Sequence, residues 1–270
     1  MTNFFKPNPL DVNEIIRETA EVAILPRFTA LKPDDILKKK SGELVTSADI
    51  EAEKLLELKL LDLFPGSVCV GEEAYGKDQE VIKRLNGDSP VWVIDPLDGT
   101  SNFCKGKAKF AIIVALIIKA QTVAGWIYDP NEKISCISER GSGTWLENKR
   151  LQIRIPSNKS CWRASLSQKL AIKLEKKNNF FIHRENIVRY HCVGLEYIEL
   201  AKSNLQFARY GGSLKPWDHA AGELIHSEAG GVSGDNKTGR RYDLAQDNLF
   251  QSILLAPDRQ SWVKFSEIIN

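Results

Sequence analysis

A chain of 270 residues, 43% hydrophobic and 27% charged, can bury a sizeable core, which excludes a disordered or fibrous protein. Its 37 basic and 35 acidic residues leave a formal charge of +2, so no broad electrostatic footprint for nucleic acid or membrane is present and small ligands are the expected partners. The start of the chain lacks the regions of a secretory leader and the apolar run 110–118 is too short to span a bilayer, so a cytoplasmic location is expected.

Residues 10–23 place Leu10, Val12, Ile15, Ile16 and Thr19 on one helical face, closed by Pro26. Residues 32–43, rich in Lys, Asp, Pro and Gly, read as an exposed, mobile loop with Lys38-Lys39-Lys40 as a solvated face. Residues 48–63 form a second amphipathic helix with Asp49 in its first turn. The texture then changes to short runs rich in Val, Ile and Trp at 91–94, 110–118, 122–128 and 133–137, which read as strands of an antiparallel meander. Helical patterns return at 165–179, 195–201 and 217–229, the last stopped by Gly230-Gly231. Strands and helices do not alternate regularly, so the expected fold class is α+β or layered α/β. The five cysteines are scattered without a CxxC pair and read as reduced thiols. His219 and His226 are too far apart on a helix to share an ion.

The chemistry-bearing residues are acids. The strand 91–94 ends in Asp95, and Pro96 is expected to take the chain out of the sheet, which lets Asp95 and Asp98 face one point despite their odd spacing. Gly99-Thr100-Ser101-Asn102 follows as a turn and helix start, a seat for phosphate beside an acid pair. Two carboxylates about 4 Å apart repel by roughly 4 kcal/mol at an effective dielectric near 20, and a hard divalent cation resolves that conflict. Glu72-Glu73 after Gly71, Asp49 after Thr46-Ser47-Ala48, and Asp218 after Pro216-Trp217 add further acids. Each of these alone is an ordinary turn or helix cap.

Together, Leu44-Val45-Thr46-Ser47-Ala48-Asp49, Gly71-Glu72-Glu73, Trp92 through Phe103 with its Asp95-Pro96-Leu97-Asp98-Gly99-Thr100 core, and Trp217-Asp218-His219-Ala220-Ala221-Gly222 resemble the inositol monophosphatase family, closely its bacterial SuhB-like branch. The resemblance implies a layered α/β/α/β/α sandwich shared with sugar-bisphosphate phosphatases, usually dimeric, with magnesium required and lithium inhibitory. Carried over by position, Glu72, Asp95 and the Leu97 carbonyl would hold one Mg2+, and Asp95, Asp98 and Asp218 a second. Glu72 would reach a weaker third ion. Asp49 and Thr100, with Glu72, would orient the attacking water. Asp98, Gly99, Thr100 and Asp218 would meet the substrate, and Glu73 would support the ligands from behind. The two lobes, 1–155 with most metal ligands and 156–270 completing the site, would work as one unit.

A small-residue run of the family falls, by counting back from Trp217, on Cys192-Val193-Gly194-Leu195, which makes Cys192 and Gly194 candidate substrate contacts. The same count puts Gly211 where the family has an acid that contacts inositol, so that contact is absent, with Glu196, Lys215 and Arg189 nearby to replace it. The implied activity is hydrolysis of a small soluble phosphate ester, inositol monophosphate or another such as histidinol phosphate, a 3'-phosphoadenosine phosphate or fructose bisphosphate. A phospho-aspartyl mechanism of haloacid-dehalogenase type requires two acids separated by one residue, whereas two residues separate Asp95 from Asp98. Relatives of the SuhB type also associate with RNA polymerase, a second role that the fold permits.

Overall fold

The computed structural model describes residues 6–39, 42–177, 182–212, 214–242, 244 and 252–270. Helix α1 (Pro9–Thr19) starts where the Asn8 side chain accepts the Leu10 N–H at 3.0 Å, and it loosens into a π turn and a 3-10 turn before ending past Pro26. The stretch expected as a loop holds β1 (Ile36–Lys38), paired antiparallel with β2 (Leu44–Thr46), so its backbone groups are satisfied by a ladder; Lys40 lies outside the described residues.

Helix α2 (Ser47–Leu63), β3 (Val68–Gly71), α3 (Glu72–Lys77), β4 (Val91–Asp98) and α4 (Thr100–Cys104) lead into the expected meander. Strands β5 (Ala111–Ile118), β6 (Gln121–Asp129), β7 (Ile134–Glu139), β8 (Gly143–Leu146) and β9 (Lys149–Leu151) complete a seven-stranded sheet in the order β3 to β9, parallel only between β3 and β4. In the second half, β10 (Ala164–Ser165) precedes α5 (Gln168–Glu175), so a strand opens the segment expected to be helical from residue 165; Asn179 lies outside the described residues. Then come β11 (Ile187–Val188), α6 (Val193–Ala201), β12 (Phe207–Gly211), α7 (Pro216–Glu228), β13 (Val232–Gly234), β14 (Ser252–Ala256) and α8 (Arg259–Ile269). Their strands form a mixed five-stranded sheet in the order β11-β10-β12-β14-β13.

Three apolar clusters stack these elements in layers. Val12 and Ile16 of α1 and Ala52, Leu56 and Leu60 of α2 pack on Trp92, Ile94, Ile112, Val114 and Trp126, one face of the large sheet. The opposite face, with Val91, Val93, Ile113, Ala115 and Ile127, meets Tyr197 of α6 and Ala220, Ala221 and Ile225 of α7, which also cover Ala208, Ile253 and Leu255 of the second sheet. The outer face of that sheet packs Phe207 and Leu254 on Leu174 of α5 and Trp262 and Phe265 of α8. The order is helix, sheet, helix, sheet, helix, a layered α/β fold. Among the described residues, no helix is long and apolar enough to cross a membrane.

Candidate active site

Strand β4 sends Trp92 and Ile94 toward α1 and α2 and Val91 and Val93 toward α6 and α7. By that alternation Asp95 falls on the α7 side and Asp98 on the other. The ladder to β5 breaks the alternation: Asp95 pairs with Ile113 and Asp98 with Ala111, so three steps on β4 match two on β5, which is a β-bulge. Leu97 accordingly joins the α1 and α2 core instead of following Val93. The bulge turns Asp98 back toward Asp95. The expected exit from the sheet at Pro96 is thereby corrected, since β4 continues to Asp98 and the proline, which has no N–H to give a ladder, falls within the bulge.

Gly99 then turns the chain at φ +92, and a Cβ there would lie 2.7 Å from the Lys109 carbonyl, so only glycine fits. Helix α4 is held by Phe103, 1% exposed, whose ring meets Phe110 edge-on at 5.0 Å and Phe28 at 5.5 Å. Burial of such a ring contributes about 1.5–3 kcal/mol, enough to fix a helix of this length against the sheet.

Carboxylate oxygens of Glu72, Asp95 and Asp218 lie within 4.8 Å of one another. They come from the starts of α3 and α7 and from β4, so three separate segments converge. Each pair at that spacing repels by roughly 3.5 kcal/mol at an effective dielectric near 20. Burial, and then the charges of Glu72 and Asp98, push both Asp95 and Asp218 well above the usual carboxylate range. Beside them, burial pushes Asp98 up to about 6 although its Oδ2 accepts the Gly194 N–H at 2.6 Å and the Cys192 thiol at 3.1 Å. Cys192 and Gly194, expected at the substrate, thus bind Asp98 beside the cluster. An all-oxygen set of crowded acids fits a hard divalent cation such as Mg2+. Neither His219 nor His226 joins it; burial pushes both imidazoles down to about 3.

Asp49 combines the bland and the chemical readings on its two oxygens. Oδ2 accepts the Thr46 N–H at 2.8 Å and the Thr46 hydroxyl at 2.5 Å, closing a capping box on α2. Oδ1 lies 3.0 Å from the Thr100 hydroxyl, which also reaches the Leu97 carbonyl at 2.9 Å. Burial pushes Asp49 up to about 6, against the hydrogen bonds from Thr46 and Thr100. A carboxyl near neutrality, paired with a hydroxyl next to the acid cluster, is suited to moving a proton.

Two residues at the site were not assigned to it from the sequence. Glu53, one helical turn after Asp49 on α2, accepts the N–H groups of Glu73 and Ala74, both at 2.8 Å, and so anchors the start of α3 that carries Glu72. Its carboxylate fills the space a Cβ at Gly71 would need, at 2.3 Å. The i, i+4 spacing from Asp49 and a place on the buried side of α2 were the available signals. Lys39, expected in a solvated run, is a correction: its ammonium is largely buried, 2.6 Å from Glu72 Oε1 and 2.7 Å from Glu73 Oε1. The hairpin of β1 and β2 carries it there and supplies positive charge to the crowded acids.

A model of the inositol monophosphatase family matches residues 10–261. The chain belongs to the inositol monophosphatase family. It is 33% identical over 215 residues to the Nus factor SuhB of Vibrio cholerae, covering 76% of each chain, and 30% identical over 217 residues to that of Escherichia coli K12, covering 77% of each. Inositol monophosphatase 1 of Sus scrofa is 27% identical over 227 residues, with 80% of this chain and 79% of that one covered. Among solved structures, the SuhB of Bartonella henselae superposes with a TM-score of 0.77 at 24% identity over 96% of this chain and 98% of that one. Staphylococcus aureus IMPase-II bound to inositol monophosphate does so at 0.72 and 23% identity, over 95% and 91%. Family membership supports phosphatase chemistry.

Proposed function

We propose that this protein is a Mg2+-dependent phosphomonoesterase that hydrolyses small soluble phosphate esters such as inositol monophosphate, by activation of water and without a covalent enzyme intermediate. The observation that carries the reading is the convergence of Glu72, Asp95 and Asp218 within 4.8 Å, next to Asp98 and the Thr100 and Asp49 pair. Glu72, Asp95 and the Leu97 carbonyl would hold one Mg2+ and Asp95, Asp98 and Asp218 a second, with a third near Glu72. When bound, these ions would neutralise the phosphoryl oxygens and acidify the attacking water. The chain's own groups do the rest. The Thr100 hydroxyl and Asp49 orient the water and take its proton, a role that matches a carboxyl held at about 6. Gly99 and Thr100 offer N–H groups to the phosphate beside them, and Lys39, already on Glu72 and Glu73, keeps positive charge beside the acids.

On the alcohol side, Gly211 offers no side chain, which supports acceptance of several alcohols. The Staphylococcus aureus IMPase-II, solved with inositol monophosphate and with 2'AMP, supports the same breadth. By the same family reasoning the protein forms a homodimer and is inhibited by Li+. The test is phosphate release, with and without Mg2+, from inositol phosphates, sugar phosphates, histidinol phosphate, 3'-phosphoadenosine phosphates and fructose bisphosphate. Full activity in chelator refutes the metal reading, and no release from any ester refutes the phosphatase. The name Nus factor carried by the relatives at 30–33% identity favours a second role in association with RNA polymerase, checked by co-purification from the native host.

A further inference from the structure

We infer that Glu196 is a positioning residue that sets Asp98 for cation binding, by clasping the turn whose far end holds Asp98. The inference rests on the reading of Asp98 as a carboxylate that faces a cation. Glu196 lies in the first turn of α6 and is 3% exposed. Both of its oxygens are committed: Oε1 accepts the Tyr190 N–H at 2.9 Å and Oε2 accepts the Tyr210 hydroxyl at 2.7 Å. A carboxylate enclosed and engaged in this way serves the fold around it and not a substrate hydroxyl, so its expected place among the alcohol-side contacts is set aside.

What Glu196 holds is the segment that delivers Cys192 and Gly194 to Asp98 Oδ2. Between Tyr190 and Cys192, His191 stands at φ +54, a left-handed conformation uncommon for a residue with a Cβ and costly unless its surroundings hold it. Two grips hold it. Asn102, three residues after Gly99, directs its side-chain amide at the carbonyls of Tyr190 at 2.9 Å, His191 at 3.1 Å and Lys109 at 2.8 Å. Glu196, six residues on, takes the amide side of the same turn. Tyr210 extends the clasp to α7, since its ring lies 5.0 Å from that of His219, the neighbour of Asp218. With Oδ2 occupied by the thiol and the amide, Oδ1 of Asp98 has no hydrogen-bond partner among the described residues and is the oxygen left for a cation. Loss of Glu196 would free Tyr190, let the left-handed turn relax and withdraw both donors from Asp98.

The test is a Mg2+ titration of the substrate-free protein, read by thermal midpoint and by tryptophan fluorescence, with amide exchange at Gly194 as the local probe. Glu196→Ala is expected to bind Mg2+ at least about tenfold more weakly than wild type and to lose protection at Gly194, in the range seen when an outer partner of a metal ligand is removed. Glu196→Gln is expected to stay within about threefold of wild type, because its amide oxygen can accept from Tyr190 and its NH2 can donate to the Tyr210 oxygen. Unchanged Mg2+ affinity in a folded Glu196→Ala protein overturns the inference. So does a folded Glu196→Gln protein as weak as the Ala variant, because charge and not position would then be responsible. If Glu196→Ala does not fold, Tyr210→Phe decides: weakened Mg2+ binding supports the clasp, and wild-type affinity with unaltered Gly194 exchange refutes it. Wild-type protein without any Mg2+ response overturns the cation reading of the site and the clasp with it, and the wild-type titration alone separates that outcome from the others.

Discussion

Replacing Asp98 by Asn is expected to stabilise the metal-free protein while abolishing its phosphatase activity. Burial first, then the charges of Glu196 and Glu72, push Asp98 from 3.8 to about 6, against the hydrogen bonds from Gly194 and Cys192. Ionising a carboxyl with that displacement costs about 3 kcal/mol in the folded state, taking about 1.4 kcal/mol per pKa unit. The sign follows from linkage. With the folded pKa above the unfolded one, the contribution of Asp98 to stability is fully present below 3.8 and is lost as pH rises through about 6. Asparagine never ionises; its amide oxygen can still accept from Gly194 and Cys192, and its NH2 can donate to the neighbouring acids. At pH 8 in chelator, Asp98→Asn should therefore melt about 6–12 °C above wild type, at about 2–4 °C per kcal/mol for a chain of this size. At pH 5 the gap should fall to about half, because wild-type Asp98 is then mostly protonated in the fold. In saturating Mg2+ the gap should close or reverse, as the wild-type carboxylates regain a cation to share. Melting curves of the two proteins at pH 5 and pH 8, with chelator and with Mg2+, make the comparison. Equal midpoints at pH 8 in chelator, or a gap that does not change with pH, would refute the account of Asp98 as a crowded, buried acid.

Thr100→Ala and Asp49→Asn are each expected to lower kcat by about a hundredfold to ten-thousandfold with little change in Mg2+ dependence, and the double variant should be scarcely slower than the worse single one. Additive losses, or near-normal kcat with a lowered midpoint, would reduce Asp49 to the cap it also forms on α2. Glu53→Ala leaves the N–H groups of Glu73 and Ala74 without their acceptor, so it should cost about 2–4 kcal/mol in denaturant unfolding and weaken Mg2+ binding through Glu72; unfolding and Mg2+ titration on the same protein check both parts. Across the panel of esters, kcat/KM for inositol monophosphate is expected to stay within about a hundredfold of the best alternative, roughly 2.7 kcal/mol, because Gly211 brings no acid to the alcohol. A larger preference for inositol would show that another group reads its hydroxyls.

Much of the candidate site was legible before any fold was known, because the proposed cation and phosphate chemistry demands residue types that are rare together. Asp95 and Asp98 before a glycine turn, Glu72 after Gly71, Asp49 at a helix start and Asp218 at another are each ordinary, and it is their joint order that carries meaning. The first two helices and the meander β4 to β7 were equally readable, since periods of 3.6 and 2 are written in the positions of Val, Ile and Leu. The short strands β10 to β14 were not, because two to five residues are too few for a period to stand out.

Tertiary structure alone decided the contacts that depend on distant segments meeting. Pro96 led to the expectation that Asp95 and Asp98 face one point, but nothing local shows that a bulge within β4 does it, for the bulge appears only as a register difference against β5. Nor could spacing say that Lys39 folds onto Glu72 and Glu73, that Glu53 caps α3, or that Cys192 and Gly194 hold Asp98 from 94 and 96 residues away. The amino-acid order specifies which groups can hydrogen-bond, ionise or turn the backbone. Which of them become partners is settled by burial, because a polar group removed from water must find whichever partner the packed layers place within reach.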